Sequence, residues 1–110
     1  MTQSLHILDA LFATIKAKAA DDPKASYTAS LLAKAPELPA RKVTEEAVEV
    51  LIEALNGDSA KLASESADLL YHLLVVWQAG GVQPDDVWAI LAKRQGLSGH
   101  EEEASRTKTS

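Results

Sequence analysis

Apolar residues recur every three or four positions along most of this chain, the repeat of an amphipathic helix. Leu5, Leu8, Leu11, Phe12, Ile15 and Ala19 mark a first helix, with Ser4 as its cap and Asp21-Asp22-Pro23 as its stop. Ser26 to Lys34 predicts a short helical piece. Pro36 and Pro39 then bracket a connector, because proline fits poorly inside a helix. A second long helix runs from about Ala40 to Asn56, and Gly57 is placed to end it. Its apolar stripe is Val43, Ala47, Val50, Leu51 and Ala54, while Lys42, Glu45, Glu46, Glu49 and Glu53 gather on the other side. A third helix spans about Ser59 to Ala79, capped by Asp58 or Ser59 and stopped by Gly80-Gly81. Gln83-Pro84-Asp85-Asp86 opens a fourth, with proline at its first position and acids in its first turn. Val87, Trp88, Ile90 and Leu91 are its apolar residues, and Gly96 ends it.

No segment alternates with the period of a strand. The pattern predicts an all-α domain over residues 1–96, four main helices plus the short piece. A polar tail, 97–110, is expected to be mobile. The third helix is apolar nearly all round: Leu69, Leu70, Leu73, Leu74, Val76 and Trp77 fill one broad side, Tyr71 and Val75 much of the rest. Such a helix needs cover on most faces. Three other helices of this size supply too little, so a helical bundle completed by dimerisation, or a higher homo-oligomer, is expected.

Composition narrows the function. The chain has 110 residues, 46% of them hydrophobic, which suits one folded domain. It has no cysteine, so disulfides and thiolate metal sites are excluded and a reducing compartment fits. A net charge of −5 argues against a nucleic-acid or anionic-membrane surface. The N-terminus lacks the basic start and continuous apolar core of a signal peptide, and no apolar run is long enough to span a bilayer. A soluble cytoplasmic protein is expected.

Two acidic patterns carry the candidate chemistry. Glu45-Glu46-Ala47-Val48-Glu49 lies on the second helix and Glu65-Ser66-Ala67-Asp68 on the third. Carboxylates three apart share a helical face. If these helices pack antiparallel, the acids converge, and like charges at that range favour a bound cation. All-oxygen ligands suit Mg²⁺ or Mn²⁺. The plainer alternative is a solvated acidic face, with Lys42 among the glutamates. That alternative accounts less well for Glu65, Asp68 and His72, which lie along one strip of a leucine-rich helix with no base between Lys61 and Lys93. His72 reads as a hydrogen-bonding core or substrate residue rather than a ligand. There is no glycine-rich phosphate loop and no nucleophile motif, so metal and water would carry any reaction. Hydrolysis of a phosphoanhydride follows from such a site, with a neighbouring carboxylate taking a proton.

At this point the residues resemble a known family. Glu46-x-x-Glu49 with Glu65-x-x-Asp68 is similar to the signature of the all-α nucleoside triphosphate pyrophosphatases. More of the chain resembles one branch, the phosphoribosyl-ATP pyrophosphatases of histidine biosynthesis. Ser26-Tyr27-Thr28, Leu31-Leu32-Ala33-Lys34, Lys42-Val43-x-Glu45-Glu46-Ala47-x-Glu49, Glu65-x-Ala67-Asp68-Leu69-Leu70-Tyr71-His72-Leu73-Leu74 and Arg94-x-Gly96-x-Ser98-Gly99 carry the likeness. It implies Mg²⁺-dependent hydrolysis of 1-(5-phosphoribosyl)-ATP to 1-(5-phosphoribosyl)-AMP and pyrophosphate. It implies Glu46, Glu49, Glu65 and Asp68 as metal ligands, with Glu45 completing the catalytic acids. Lys34 and Lys42 would contact phosphate, and Tyr71, His72 and Arg94 would help enclose the phosphoribosyl nucleotide. Departures occur at Ala35 and Thr44, where relatives often carry glycine, and at Glu103, where the tail often carries lysine. None removes a ligand. Two alternatives stay open: a housekeeping nucleoside triphosphate pyrophosphatase, and a non-catalytic helical dimerisation module.

Overall fold

A computed structural model describes residues 6–95. They form five helices: α1 (Ile7–Lys18), α2 (Tyr27–Ala33), α3 (Glu37–Asn56), α4 (Ser59–Gly80) and α5 (Pro84–Arg94). No strand occurs among the described residues. The all-α expectation, four main helices and one short piece, matches this order. The proposed cap Ser4, the helix stop Gly96 and the tail lie outside the described residues.

Local chemistry sets most helix ends. The His6 ring accepts the Leu8 N–H at 3.1 Å and caps α1. Ser26 Oγ accepts from the Ala29 N–H at 3.1 Å, and Asp58 Oδ1 from the Lys61 N–H at 3.0 Å, so α2 and α4 each satisfy an otherwise free donor. Gln83 and Asp86 form a reciprocal capping box around Pro84 at the start of α5. Gly57 and Gly81 adopt φ of 73° and 76° and close α3 and α4. A Cβ at either would meet nothing within 4 Å, so the left-handed backbone alone calls for glycine there.

The expected connector around Pro36 and Pro39 is replaced by helix. Pro36 is the N-cap of α3, and Pro39 is buried in its first turn. Helix N–H groups in the first turn have no acceptor within the helix, so proline loses nothing there.

The core lies where α1 and α2 meet the second half of α4. Phe12, Ile15, Leu31, Leu74 and Val75 are buried together, with Leu8, Leu11, Leu32, Leu38, Tyr71 and Trp77 around them. Trp77 meets Trp88 of α5 edge to face at 5.9 Å, and the Trp88 Nε1–H donates to Asp9 Oδ1 at 3.2 Å, tying α5 to α1. No helix among the described residues is long and apolar enough to cross a membrane.

Away from this core, α3 and the first half of α4 form an antiparallel hairpin joined by Gly57 and Asp58. From Ala40 to Leu70 no residue is buried. The orientation of α3 differs from the expected one. Lys42, Val43, Glu46, Val50 and Glu53 are the half-covered positions, whereas Ala47, Leu51 and Ala54 of the expected core stripe are exposed. Helix α3 thus turns the edge between its apolar and acidic sides toward its own chain. Val48, Leu51, Ile52 and Leu55 are left in water, 48%, 56%, 42% and 79% exposed.

Candidate active site

That rotation of α3 brings the acids together. One oxygen each from Glu46, Glu65 and Asp68 lies within 4.8 Å of the others. Glu46 comes from the middle of α3, and Glu65 and Asp68 stand one turn apart on α4. Glu46 and Glu65 are half-covered and Asp68 is exposed, so the cluster is open to solvent. Asp68 is therefore not a carboxylate stranded in an apolar interior. Convergence, rather than burial, marks these acids out.

The cluster is electrostatically crowded. The Glu65 carboxyl holds its proton to higher pH than an ordinary glutamate. Partial loss of hydration is the first cause, followed by the charges of Asp68, Glu46 and Glu49 and a hydrogen bond with Glu46. The donor set is oxygen only, which fits a hard divalent cation.

The other candidate residues are placed around this centre. Glu49 is near enough to act on Glu65 through its charge but lies outside the close trio. The Lys42 ammonium pairs with Glu45 at 3.4 Å, one turn before the trio on α3. Lys34 is the exposed C-cap of α2, and Arg94 is the half-covered last residue of α5, which packs against α1. Gly96, Ser98 and Gly99 lie outside the described residues.

Tyr71 and His72 join an aromatic cluster beside the acids. His72 is only 6% exposed. Its Nδ1 lies 2.9 Å from the Asp68 carbonyl oxygen, which can only accept, so Nδ1 carries the hydrogen. Nε2 is then the acceptor for the Tyr27 hydroxyl at 2.9 Å. Both ring nitrogens are used within the protein. The Tyr71 hydroxyl bonds Thr28 Oγ1, and its ring stacks with Tyr27 at 6.2 Å and 20°. The Tyr27 phenol is raised above its usual pKa, first by burial of its hydroxyl end, opposed by Lys42 and assisted by Tyr71, Glu46 and Glu45. Tyr27 thus stands within electrostatic reach of the acidic edge of α3. Sequence reading places it in a motif but gives it no role; its partner His72 is 45 residues away, and no local pattern signals that pairing.

Five helices with carboxylates converging from the α3–α4 hairpin define an all-α protein with an acidic cluster. Residues 8–95 match the family described as phosphoribosyl-ATP pyrophosphohydrolase. The phosphoribosyl-ATP pyrophosphatase of Ruegeria pomeroyi is 56% identical over 104 residues, 94% of this chain and 99% of that protein. That of Azospirillum brasilense is 52% identical over 103 residues, 94% of this chain and 93% of the relative. That of Gluconobacter oxydans is 47% identical, covering 93% of this chain and 77% of its own length. The chain belongs to the phosphoribosyl-ATP pyrophosphohydrolase family.

Proposed function

We propose that this enzyme hydrolyses 1-(5-phosphoribosyl)-ATP to 1-(5-phosphoribosyl)-AMP and pyrophosphate, in histidine biosynthesis in the cytoplasm, with Mg²⁺ or Mn²⁺ as cofactor. The observation that carries the chemistry is the convergence of Glu46, Glu65 and Asp68 on one point. Family membership supplies the substrate.

Glu46, Glu65 and Asp68, joined by Glu49, are the ligands for the cation. A divalent cation supplies positive charge for the polyphosphate and lowers the pKa of water. Each carboxylate repels the others and the substrate phosphates, so without that charge the cluster cannot hold a polyanion. Lys42, already on this edge of α3, and Lys34 at the end of α2 add fixed positive charge for phosphate. The attacking water gives its proton to a carboxylate of the acidic edge, with Glu45, the residue before Glu46 on α3, suited to accept it. Its oxygen joins the α-phosphorus, and the bond to the β-phosphate oxygen breaks to release pyrophosphate. Arg94 helps enclose the nucleotide, and Tyr71 and His72, whose polar atoms are taken up within the protein, stiffen the wall beside it.

The working form is a homodimer. Its support is the uncovered stripe Val48, Leu51, Ile52 and Leu55 on α3, with Leu70 of α4 also exposed. A stripe at i, i+3, i+4 and i+7 is the spacing by which a helix buries itself against another.

Comparing turnover of 1-(5-phosphoribosyl)-ATP with that of the common and non-standard nucleoside triphosphates tests the assignment. The phosphoribosyl substrate is expected to dominate. Faster hydrolysis of the free triphosphates would instead indicate nucleotide housekeeping.

A further inference from the structure

Tyr27 is 53% exposed, yet its hydroxyl is tied to buried His72. Exposed aromatic side chains usually turn freely about χ1. This one is tied at three points. Its hydroxyl donates to buried His72 at 2.9 Å, one side of its ring stacks with Tyr71, and its edge meets the His72 ring at 87°. Tyr71 is itself fixed through Thr28, which is buried, and His72 through the Asp68 carbonyl. The outer side of the Tyr27 ring is therefore a preformed flat surface. The chain of contacts that fixes it ends on Asp68, a member of the carboxylate trio.

We propose that this surface receives the base of the nucleotide. The inference rests on the substrate class proposed above. A nucleotide whose phosphates lie over the carboxylate trio must place its base nearby, and the protein offers a rigid aromatic plane there. The chemistry of the base favours that plane. Adenine substituted at N1 is a cationic amidinium at neutral pH, whereas the adenine of free ATP is neutral. A flat cation is drawn to the face of a phenol ring and to the negative edge formed by Glu45 and Glu46. Tyr27 thereby distinguishes the phosphoribosylated nucleotide from ATP. Its partners Tyr71 and His72 act as positioning residues behind it.

Tyr27→Leu and Tyr27→Phe test this against three probes: 1-(5-phosphoribosyl)-ATP, ATP and inorganic tripolyphosphate, each with Mg²⁺. Removing the ring in Tyr27→Leu should raise KM for the phosphoribosyl substrate by roughly tenfold, within the range expected of a cation–π contact. Turnover at saturation should change little. The dissociation constant of ATP, measured by calorimetry, should rise by a smaller factor, and that of tripolyphosphate should not move. Tyr27→Phe keeps the ring but loses the tie to His72, so it should raise KM by clearly less than Tyr27→Leu does. Equal weakening of all three probes by Tyr27→Leu would overturn the proposal. So would a folded Tyr27→Phe that binds as poorly as the leucine variant. If wild-type protein fails to turn over the phosphoribosyl nucleotide, the assigned reaction fails. The base shelf is then judged by whether Tyr27→Leu weakens binding of that nucleotide more than binding of tripolyphosphate.

Discussion

Replacing Leu51 with lysine should separate the proposed dimer without unfolding the chain. Leu51 is 56% exposed in the single chain and sits in the middle of the uncovered α3 stripe. Full burial of a leucine side chain contributes about 1.5–3 kcal/mol, so covering the exposed half is worth roughly 0.8–1.7 kcal/mol. Two-fold symmetry counts the loss twice, giving about 1.7–3.4 kcal/mol and a rise in dimer Kd of roughly twentyfold to three-hundredfold. Burying two ammonium groups in place of two leucines adds to that loss. The four stripe residues together supply roughly 3–7 kcal/mol per protomer by the same reasoning, or roughly 7–14 for the pair, comparable to the cost of association itself. The interface must therefore extend beyond them, and exposed Leu70 on the neighbouring helix is the nearest candidate. Sedimentation velocity across the micromolar range measures the effect, with Thr14→Lys on exposed α1 surface as a control that should leave association unchanged. A wild-type protein that sediments as a monomer throughout would refute the reasoning. So would a Leu51→Lys variant that dimerises as tightly as wild type.

Two further outcomes follow from the site. Glu65 has a raised pKa in the folded chain, so the metal-free folded protein binds more protons than the unfolded chain between the ordinary glutamate pKa and that raised value. Its stability contribution therefore falls as pH rises through this window; Glu65→Gln should flatten the melting profile there, and an unchanged slope would speak against mutual repulsion in the cluster. His72→Ala removes two hydrogen bonds and leaves the Tyr27 hydroxyl without its acceptor. Urea unfolding should show a loss of about 2–4 kcal/mol, and a loss under about 1 kcal/mol would mean that the two bridges contribute little.

Helix ends were the most legible part of the fold in the sequence. Gly57, Asp58, Gly81 and Pro84 act through backbone conformation or local hydrogen bonds, which depend only on near neighbours. Pro39 was misread because its position within a helix decides whether proline is harmful, and the start of α3 depends on packing against buried Leu31 and its surroundings as well as on local residues. The facing of α3 was misread for a related reason. A wheel shows which residues are apolar, not which neighbour covers them. Here the acidic edge goes to α4, and the apolar stripe is left for another surface. Glu46, Glu65 and Asp68 were legible because their spacing places them on facing helix edges. The Tyr27–His72 pair was not, since it joins α2 to α4 through tertiary structure alone.

The central claim is that the carboxylate trio is the working centre of the enzyme. Pyrophosphate release from 1-(5-phosphoribosyl)-ATP with Mg²⁺, measured for wild type and Asp68→Asn alongside circular dichroism, tests it most directly. Asp68 is exposed and caps no helix, so asparagine should leave the helical signal intact. The wild type should release pyrophosphate, and the folded variant should not. Full activity in folded Asp68→Asn would contradict it.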